Sequence, residues 1–264
     1  MNLKLDNKLA LVTGSTAGIG FAIAKSLAAE GARVILNGRT DARVKEAIAS
    51  IREEVPAAKL EALVLDLSKA DAATEAAQRF PKVAILVNNL GVYMPKPFEE
   101  ITDTDWASII ETNFMSGVRL SRHYLPRMKV ANWGRIIFIS SESAVNIPVE
   151  MIHYGVTKAM QVALARGLAE TTAGTGVTVN SVLAGPTRSE GVEEFISDLA
   201  KTKHVMPAAV EKEFFTTARP SSLLQRFAAP EEVAAIVAFV ASPLSSVTNG
   251  AALRAEGGVV RSIF

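Results

Sequence analysis

Cysteine is absent from the 264 residues, and with it go disulfide cross-links, thiolate metal sites and thiol nucleophiles. Excess charge is missing too: 28 basic residues stand against 27 acidic ones, mixed along the chain, for a formal net charge of +1. There is no basic field to hold nucleic acid or an anionic membrane, and neither is expected as a partner. Long hydrophobic runs are lacking. The longest apolar tract, near Ile236 to Ala241, is far below membrane-spanning length, and "MNLKLDNKLALVTG" at the amino end alternates charged and apolar residues without a signal-like run. A cytoplasmic protein is expected. The three histidines, His123, His153 and His204, are scattered without metal-ligand spacing, so no metal site is expected. No Gly-x-Ser-x-Gly elbow occurs, which removes the serine hydrolases built on similar sheets.

What is present is apolar content, 49% of the chain, enough to bury one large core. Short apolar runs read as buried strands at Leu9 to Thr13, Arg33 to Asn37, Leu60 to Leu65, Val83 to Asn88, Arg135 to Ser140, Val177 to Ser181 and Ala251 to Ala255. Helical patterns fall between them at Gly18 to Glu30, Thr40 to Glu54, Ser68 to Arg79, Asp103 to Met128, Tyr154 to Thr172 and Glu231 to Ala241. Thr40 or Asp41 is the expected cap of the second helix. Strand and helix in alternation predict an α/β fold, a doubly wound parallel sheet of about seven strands with helices on both faces. No linker or repeat divides the chain, so residues 1–264 are read as one domain. Glu190 to Phe227 breaks the rhythm, being longer than a connection in such a fold requires.

In "LALVTGSTAGIGFAIA" an apolar strand precedes Gly14, Gly18 and Gly20, and an amphipathic helix follows. Such a turn brings backbone N–H groups and the positive end of a helix against a pyrophosphate, although its spacing is not the usual Gly-x-Gly-x-x-Gly. The second strand ends in "VILNGRT", with Asn37, Gly38 and Arg39 where an NAD site offers a carboxylate to the ribose 2′-hydroxyl. A guanidinium binds a 2′-phosphate that a carboxylate would repel, so NADP(H) is read in preference to NAD(H).

In "IHYGVTKAMQ", Tyr154 and Lys158 lie four apart on one helix face. An ammonium beside a phenol favours the phenolate, so a lowered Tyr154 pKa is expected, and such a tyrosine can exchange a proton with a substrate oxygen. The strand "RIIFISSES" ends thirteen residues upstream at Ser141. With TGSTAGIG at Thr13 to Gly20, NNLG at Asn88 to Gly91 and Asn113 in a helix, these motifs resemble the short-chain dehydrogenase/reductase family along essentially the whole chain, in the manner of 3-oxoacyl-carrier-protein reductases.

The resemblance implies a Rossmann-like NADP(H)-dependent oxidoreductase that interconverts a carbonyl and a secondary alcohol by direct hydride transfer. Tyr154 would donate or accept the proton, Ser141 would hydrogen-bond the substrate oxygen, and Lys158 would hold the nicotinamide ribose and lower the tyrosine pKa. Asn113 would shape its helix and hold a relay water. Ser140 is read as structural. The cofactor would lie against Gly14, Ser15, Thr16, Gly18, Ile19 and Gly20, against Asn37, Arg39 and Thr40, and against Asp66 and Leu67. Asn88, Asn89, Gly91, Tyr154, Lys158, Gly185, Thr187 and Ser189 would complete its site.

Three departures stand out: Leu90 replaces the alanine of Asn-Asn-Ala-Gly, Ala184 replaces a proline and is expected to loosen its turn, and Glu256 replaces an aspartate. In the family the segment at 190–227 is a substrate lid. Here Val192, Phe195, Ile196 and Leu199 predict an amphipathic helix, and Val205, Met206, Val210, Phe214 and Phe215 add a second apolar group. The expected substrate is a medium or large apolar ketone, alcohol or 3-oxoacyl thioester, and the expected assembly a homodimer or homotetramer. The alternative is a non-catalytic NADP-binding regulatory or scaffolding protein on the same fold.

Overall fold

The computed structural model describes residues 2–263, with the side chain of Phe195 outside the description. Seven strands, β1 (Leu9–Val12), β2 (Arg33–Gly38), β3 (Lys59–Val64), β4 (Ile85–Asn88), β5 (Gly134–Ser141), β6 (Val177–Ala184) and β7 (Ala252–Ala255), form one sheet in the order β3-β2-β1-β4-β5-β6-β7. Every pairing is parallel. The chain leaves β1 towards β2 on one side and returns to β4 on the other, which opens a crevice at the carboxyl edge between β1 and β4.

Period-two alternation decides which core each strand side chain enters. Ala10 and Val12, Val34 and Leu36, and Ile85 and Val87 face one layer, with helices α1 (Gly18–Ala29), α2 (Asp41–Glu54) and, far along the chain, Pro230–Ala241. Leu11, Ile35, Leu86, Ile136 and Phe138 face the other, with α3 (Ala70–Arg79) and two long helices, Ser116–Val130 and Ile152–Glu170. A fully buried Leu or Ile contributes roughly 1.5–3 kcal/mol, so two such layers hold the sheet flat against both sets of helices.

Thr40 occupies the cap position of α2, yet its hydroxyl makes no bond to the helix. The pattern read as one helix from Asp103 to Met128 is three pieces: α4 (Asp103–Ile110), a π-helical turn (Glu111–Met115) and α5 (Ser116–Val130). Thr102 and Asp105 close the start of α4 with reciprocal bonds. Next comes α6 (Ile152–Glu170), then β6. Ala184 does not loosen its turn: it is buried and continues the β6 ladder opposite Ser141 and Ala255. The following Gly185 has no room for a side chain, because a Cβ there would lie 2.5 Å from the Glu256 carbonyl oxygen. The Glu256 carboxylate accepts from the Val259 and Val260 N–H groups and so folds the chain after β7.

The long segment at 190–227 contains α7 (Glu190–Lys203) and α8 (Pro207–Thr217), and α9 (Pro230–Ala241) follows. Ile196, Ala200, Val210, Phe215 and Phe227 form a core separate from the two sheet layers, with Val192, Leu199 and Phe214 packed on it. Phe214 stacks on Phe227 with ring centres 5.0 Å apart. Among the described residues no helix is long and apolar enough to cross a membrane.

Candidate active site

The glycine turn leaves β1 at the crevice. Gly14 and Gly18 take φ of 60° and 55°, the left-handed region that side chains resist. A Cβ on Gly20 would meet the Gly14 carbonyl oxygen at 2.3 Å. The turn is held from β4 by Asn89, whose Nδ2 donates to the Thr13 and Gly14 carbonyl oxygens at 2.9 and 3.0 Å. From β2, Asn37 Oδ1 accepts from the Gly14 N–H at 3.0 Å while its Nδ2 donates to Leu63 and Leu65. The buried Ser15 hydroxyl donates to Val12 and accepts from the Asn37 N–H. The side chains of Ser15 and Asn37 are thus committed to building the turn, and what they leave for a ligand is backbone. Thr16 packs over Gly38, where a Cβ would lie 2.5 Å from its methyl. The first N–H groups of α1, from Gly18 and Ile19 onward, have no side-chain cap and no acidic neighbour in the first turn. An uncapped, unacidified helix start in a glycine cradle fits a pyrophosphate.

At the end of β2, Arg39 and Thr40 are exposed, and Arg39 makes no hydrogen bond or ion pair among the described residues. Arg43, one turn into α2, pairs at 2.8 Å with Glu190 at the head of α7, bridging the adenosine end of the crevice to the long segment. Asp66 Oδ1 accepts from the Ser68 hydroxyl and N–H, which holds its carboxyl below the usual range with help from Lys69 and Arg39. The Leu67 side chain is buried in the second layer.

Ser141 ends β5 and Tyr154 and Lys158 lie on α6, which packs on β5 and β6. Ser141 Oγ accepts from the Ser143 N–H at 3.1 Å and lies close enough to the Tyr154 phenol to hold its pKa down. Lys158 is 5% exposed and donates to the Ile139 carbonyl oxygen at 2.8 Å, with Nζ 5.5 Å from the centre of the Tyr154 ring. Burial brings the ammonium down to about 8. The expected lowering of the tyrosine is not found. Burial pushes the Tyr154 phenol up to about 12; Ser141 opposes the rise, Glu142 and Tyr93 add to it, and Arg219 subtracts from it. Ser140 donates to the Lys158 carbonyl oxygen at 2.9 Å, a bond that seats α6 on β5.

Asn113 sits in the π-helical turn, buried. Its Oδ1 accepts from the Val92 N–H and its Nδ2 donates to the Val92 carbonyl oxygen and to the Thr157 hydroxyl. Those bonds pin the chain after β4 to α6 and account for the widened turn. Its own carbonyl oxygen accepts from Gln161 Nε2 at 2.5 Å, which leaves one lone pair of that oxygen for a second donor. Gly91 lies between Lys158 and Asn113, where a Cβ would stand 3.5 Å from Nζ. Beyond β6, the Thr187 hydroxyl donates to the Gly185 carbonyl oxygen, and Ser189 caps α7 by accepting from Val192 while packing against Gly18.

The motifs did not name Tyr93, Glu142, Arg219 or Gln161. Tyr93 meets Tyr154 edge-on at 6.4 Å and its hydroxyl reaches Gly191 at the start of α7. Glu142 and Arg219 pair at 2.7 Å across 77 residues, a relation no local pattern carries. His153, next to Tyr154, is buried away from it, edge-on to Trp106. Trp133 packs on the first layer beside Arg135.

The family model described as short chain dehydrogenase matches residues 8–200. An uncharacterized oxidoreductase of Bacillus subtilis, YvaG, is 48% identical over 264 residues, covering all of both chains. The 3-oxoacyl-acyl-carrier-protein reductase of Aquifex aeolicus is 30% identical over 263 residues, covering 98% of this chain and 100% of that one. The crystal structure of L-sorbose reductase from Gluconobacter frateurii, in complex with NADPH and L-sorbose, superimposes with a TM-score of 0.93 at 28% identity, covering 100% of both chains. With a parallel seven-stranded sheet, a glycine turn at its switch point and Ser141, Tyr154 and Lys158 on one edge, the chain belongs to the short-chain dehydrogenase/reductase family of oxidoreductases.

Proposed function

We propose that the protein interconverts a carbonyl compound and a secondary alcohol with NADP(H), Tyr154 giving the proton in reduction and taking it in oxidation. The observation that carries this reading is the joining of Ser141, Tyr154 and Lys158 at the carboxyl edge of β5, beside Gly91 and the glycine turn. When bound, the nicotinamide supplies or takes up the hydride. The protein's own part is position and a proton. A phenol held near 12 keeps its proton at neutral pH and is an acid ready for a carbonyl oxygen. Ser141 fixes the direction of that hydroxyl and offers a second donor to the same oxygen. Lys158 and Gly91 form the floor on which a ribose would rest, and Arg39, exposed and in no ion pair among the described residues, suits a 2′-phosphate.

The substrate we favour is a medium or large apolar ketone, alcohol or 3-oxoacyl thioester, with 190–227 as its lid. Exposed apolar side chains support it: Val92, Tyr93 and Met94 after β4, Val145, Ile147 and Val149 after β5, and Val205 and Met206 between α7 and α8. The bound L-sorbose of the solved relative makes ketoses, polar and polyhydroxylated, the comparison class. A homodimer or homotetramer is supported by Phe239, Leu244 and Val247, apolar and exposed on and after α9. The test is NADPH consumption with ketones, ketoses, quinones and 3-oxoacyl thioesters, native protein against Tyr154→Phe. A loss of at least about 100-fold in Tyr154→Phe is expected; equal rates would defeat the mechanism, and no turnover of any carbonyl by the native protein would favour the non-catalytic alternative.

A further inference from the structure

Beside the proton-transfer group lies an ion pair that the reaction as described does not use. Glu142 follows Ser141 in the chain and is 3% exposed. Its Oε2 accepts from the Ser143 hydroxyl at 2.5 Å and its Oε1 from Arg219 Nε at 2.7 Å. Arg219 is reached just after α8, so it belongs to the long segment over the site. Its Nη1 also donates to Glu150, in the turn that leads into α6, at 3.3 Å, and its guanidinium lies over the Phe214 ring at 5.8 Å. One side chain therefore joins the end of β5, the entry to α6 and the end of the long segment. A carboxylate buried this deeply is strongly unfavourable without its partner.

The charged and titratable groups facing Tyr154 come from four places. Lys158 approaches from its own helix, Tyr93 from the chain after β4, Glu142 from the end of β5, and Arg219 from beyond α8. After burial and Ser141, Glu142 and Arg219 act on the phenol with opposite signs. We propose that Arg219 is a positioning residue for proton transfer, acting through Glu142: seating the 190–227 segment places the guanidinium on this carboxylate and so sets how readily Tyr154 yields and takes its proton. The inference rests on Tyr154 as the proton-transfer group.

Oxidation of the alcohol needs the phenolate, and reduction of the carbonyl needs the phenol. No variant can alter the overall equilibrium, so at one pH kcat/KM moves in the same sense in both directions; what a shift of the tyrosine pKa displaces is the alkaline inflection of the pH profile. Arg219→Met leaves the Glu142 charge unopposed; Glu142→Gln leaves the guanidinium. The expected results, from pH profiles of kcat/KM for oxidation, are an inflection moved to higher pH by about one unit in Arg219→Met and to lower pH in Glu142→Gln. The double variant returns towards the native profile, and Arg219→Lys keeps the native inflection. If Arg219→Met does not fold, as read by circular dichroism, the lowered inflection in Glu142→Gln and the retained one in Arg219→Lys decide the matter. Lower rates with unmoved inflections in the two single variants, without recovery in the double, would reduce the pair to packing and overturn the proposal. Full activity in Tyr154→Phe would instead remove the mechanism on which it rests; an inactive Tyr154→Phe with unmoved inflections in the Arg219 and Glu142 variants would remove this inference alone.

Discussion

Lys158 Nζ stands 5.5 Å from the centre of the Tyr154 ring and gives its hydrogen bond to the Ile139 carbonyl oxygen at 2.8 Å. The ammonium is thus held in a buried slot at a cost to the folded state. Its pKa of about 8 against an ordinary 10.5 means that the folded state favours the neutral amine. Below 8 the lysine is charged in both states and the burial cost is full; between 8 and 10.5 the unfolded chain binds the extra proton, so stability rises with pH; above 10.5 the difference is gone. Lys158→Met is therefore expected to raise the melting temperature at neutral pH, by up to about 3 kcal/mol of stability, and to abolish turnover. The gain should shrink as pH climbs towards 10.5, which thermal unfolding of both proteins across that range checks.

The glycine turn makes a sterically sharper case. A Cβ on Gly20 would lie 2.3 Å from the Gly14 carbonyl oxygen and 2.4 Å from Asn89 Nδ2, and neither is free to move, since Asn89 is bonded to Thr13 and Gly14. Gly20→Ala must push the turn off β4. A loss of roughly 1–3 kcal/mol is expected, the range of overpacking at a tight site, together with at least tenfold weaker NADPH binding. Titration calorimetry checks the second; unchanged affinity would separate the turn's shape from ligand binding.

Arg39 and Arg43 stand close together after β2, with different surroundings. Arg43 is engaged by Glu190, whereas Arg39 makes no ion pair among the described residues and lies near enough to Asp66 to help keep that carboxyl charged. Arg39→Asp is expected to weaken NADPH binding by about 10- to 100-fold, since it replaces a guanidinium by a repelling charge. NADH affinity should hold or improve. Comparable losses for both nucleotides, measured by fluorescence titration, would return Arg39 to the solvated surface.

The strands and the switch point were legible because buried parallel strands announce themselves as short apolar runs, and all seven occur near the expected positions. Glycines, a tyrosine four before a lysine and a serine at a strand end were legible because that chemistry is tied to local spacing. The π-helical turn at Asn113 was not: its cause is the side chain's grip on Val92 and Thr157, 21 and 44 residues away. Nor was the raised Tyr154 pKa, because spacing shows that Lys158 is near but not that it is buried and turned to Ile139. Arg219 and Glu142 are 77 residues apart, and only the folded chain brings them together. Ala184 misled in the other direction, since the ladder with β5 and β7 fixes a backbone that the lost proline was expected to fix.

The small core of the 190–227 segment is separate from both sheet layers, so it can be weakened by itself. Phe215 is 2% exposed and packs against Phe214 and Phe227, with ring centres 5.1 Å from each. Phe215→Ala removes the most deeply buried ring of that cluster, a change that costs about 3–5 kcal/mol where a site cannot collapse. Because the sheet does not lean on this ring, the loss should appear as local opening of α7 and α8 and not as global unfolding. Hydrogen exchange is expected to show lost protection across 190–217 with β1, β4 and β5 unchanged, and KM for a bulky ketone should rise more than kcat falls. Uniform loss of protection through the sheet would show that the segment is part of the main core, and would count against the proposal that it is a lid.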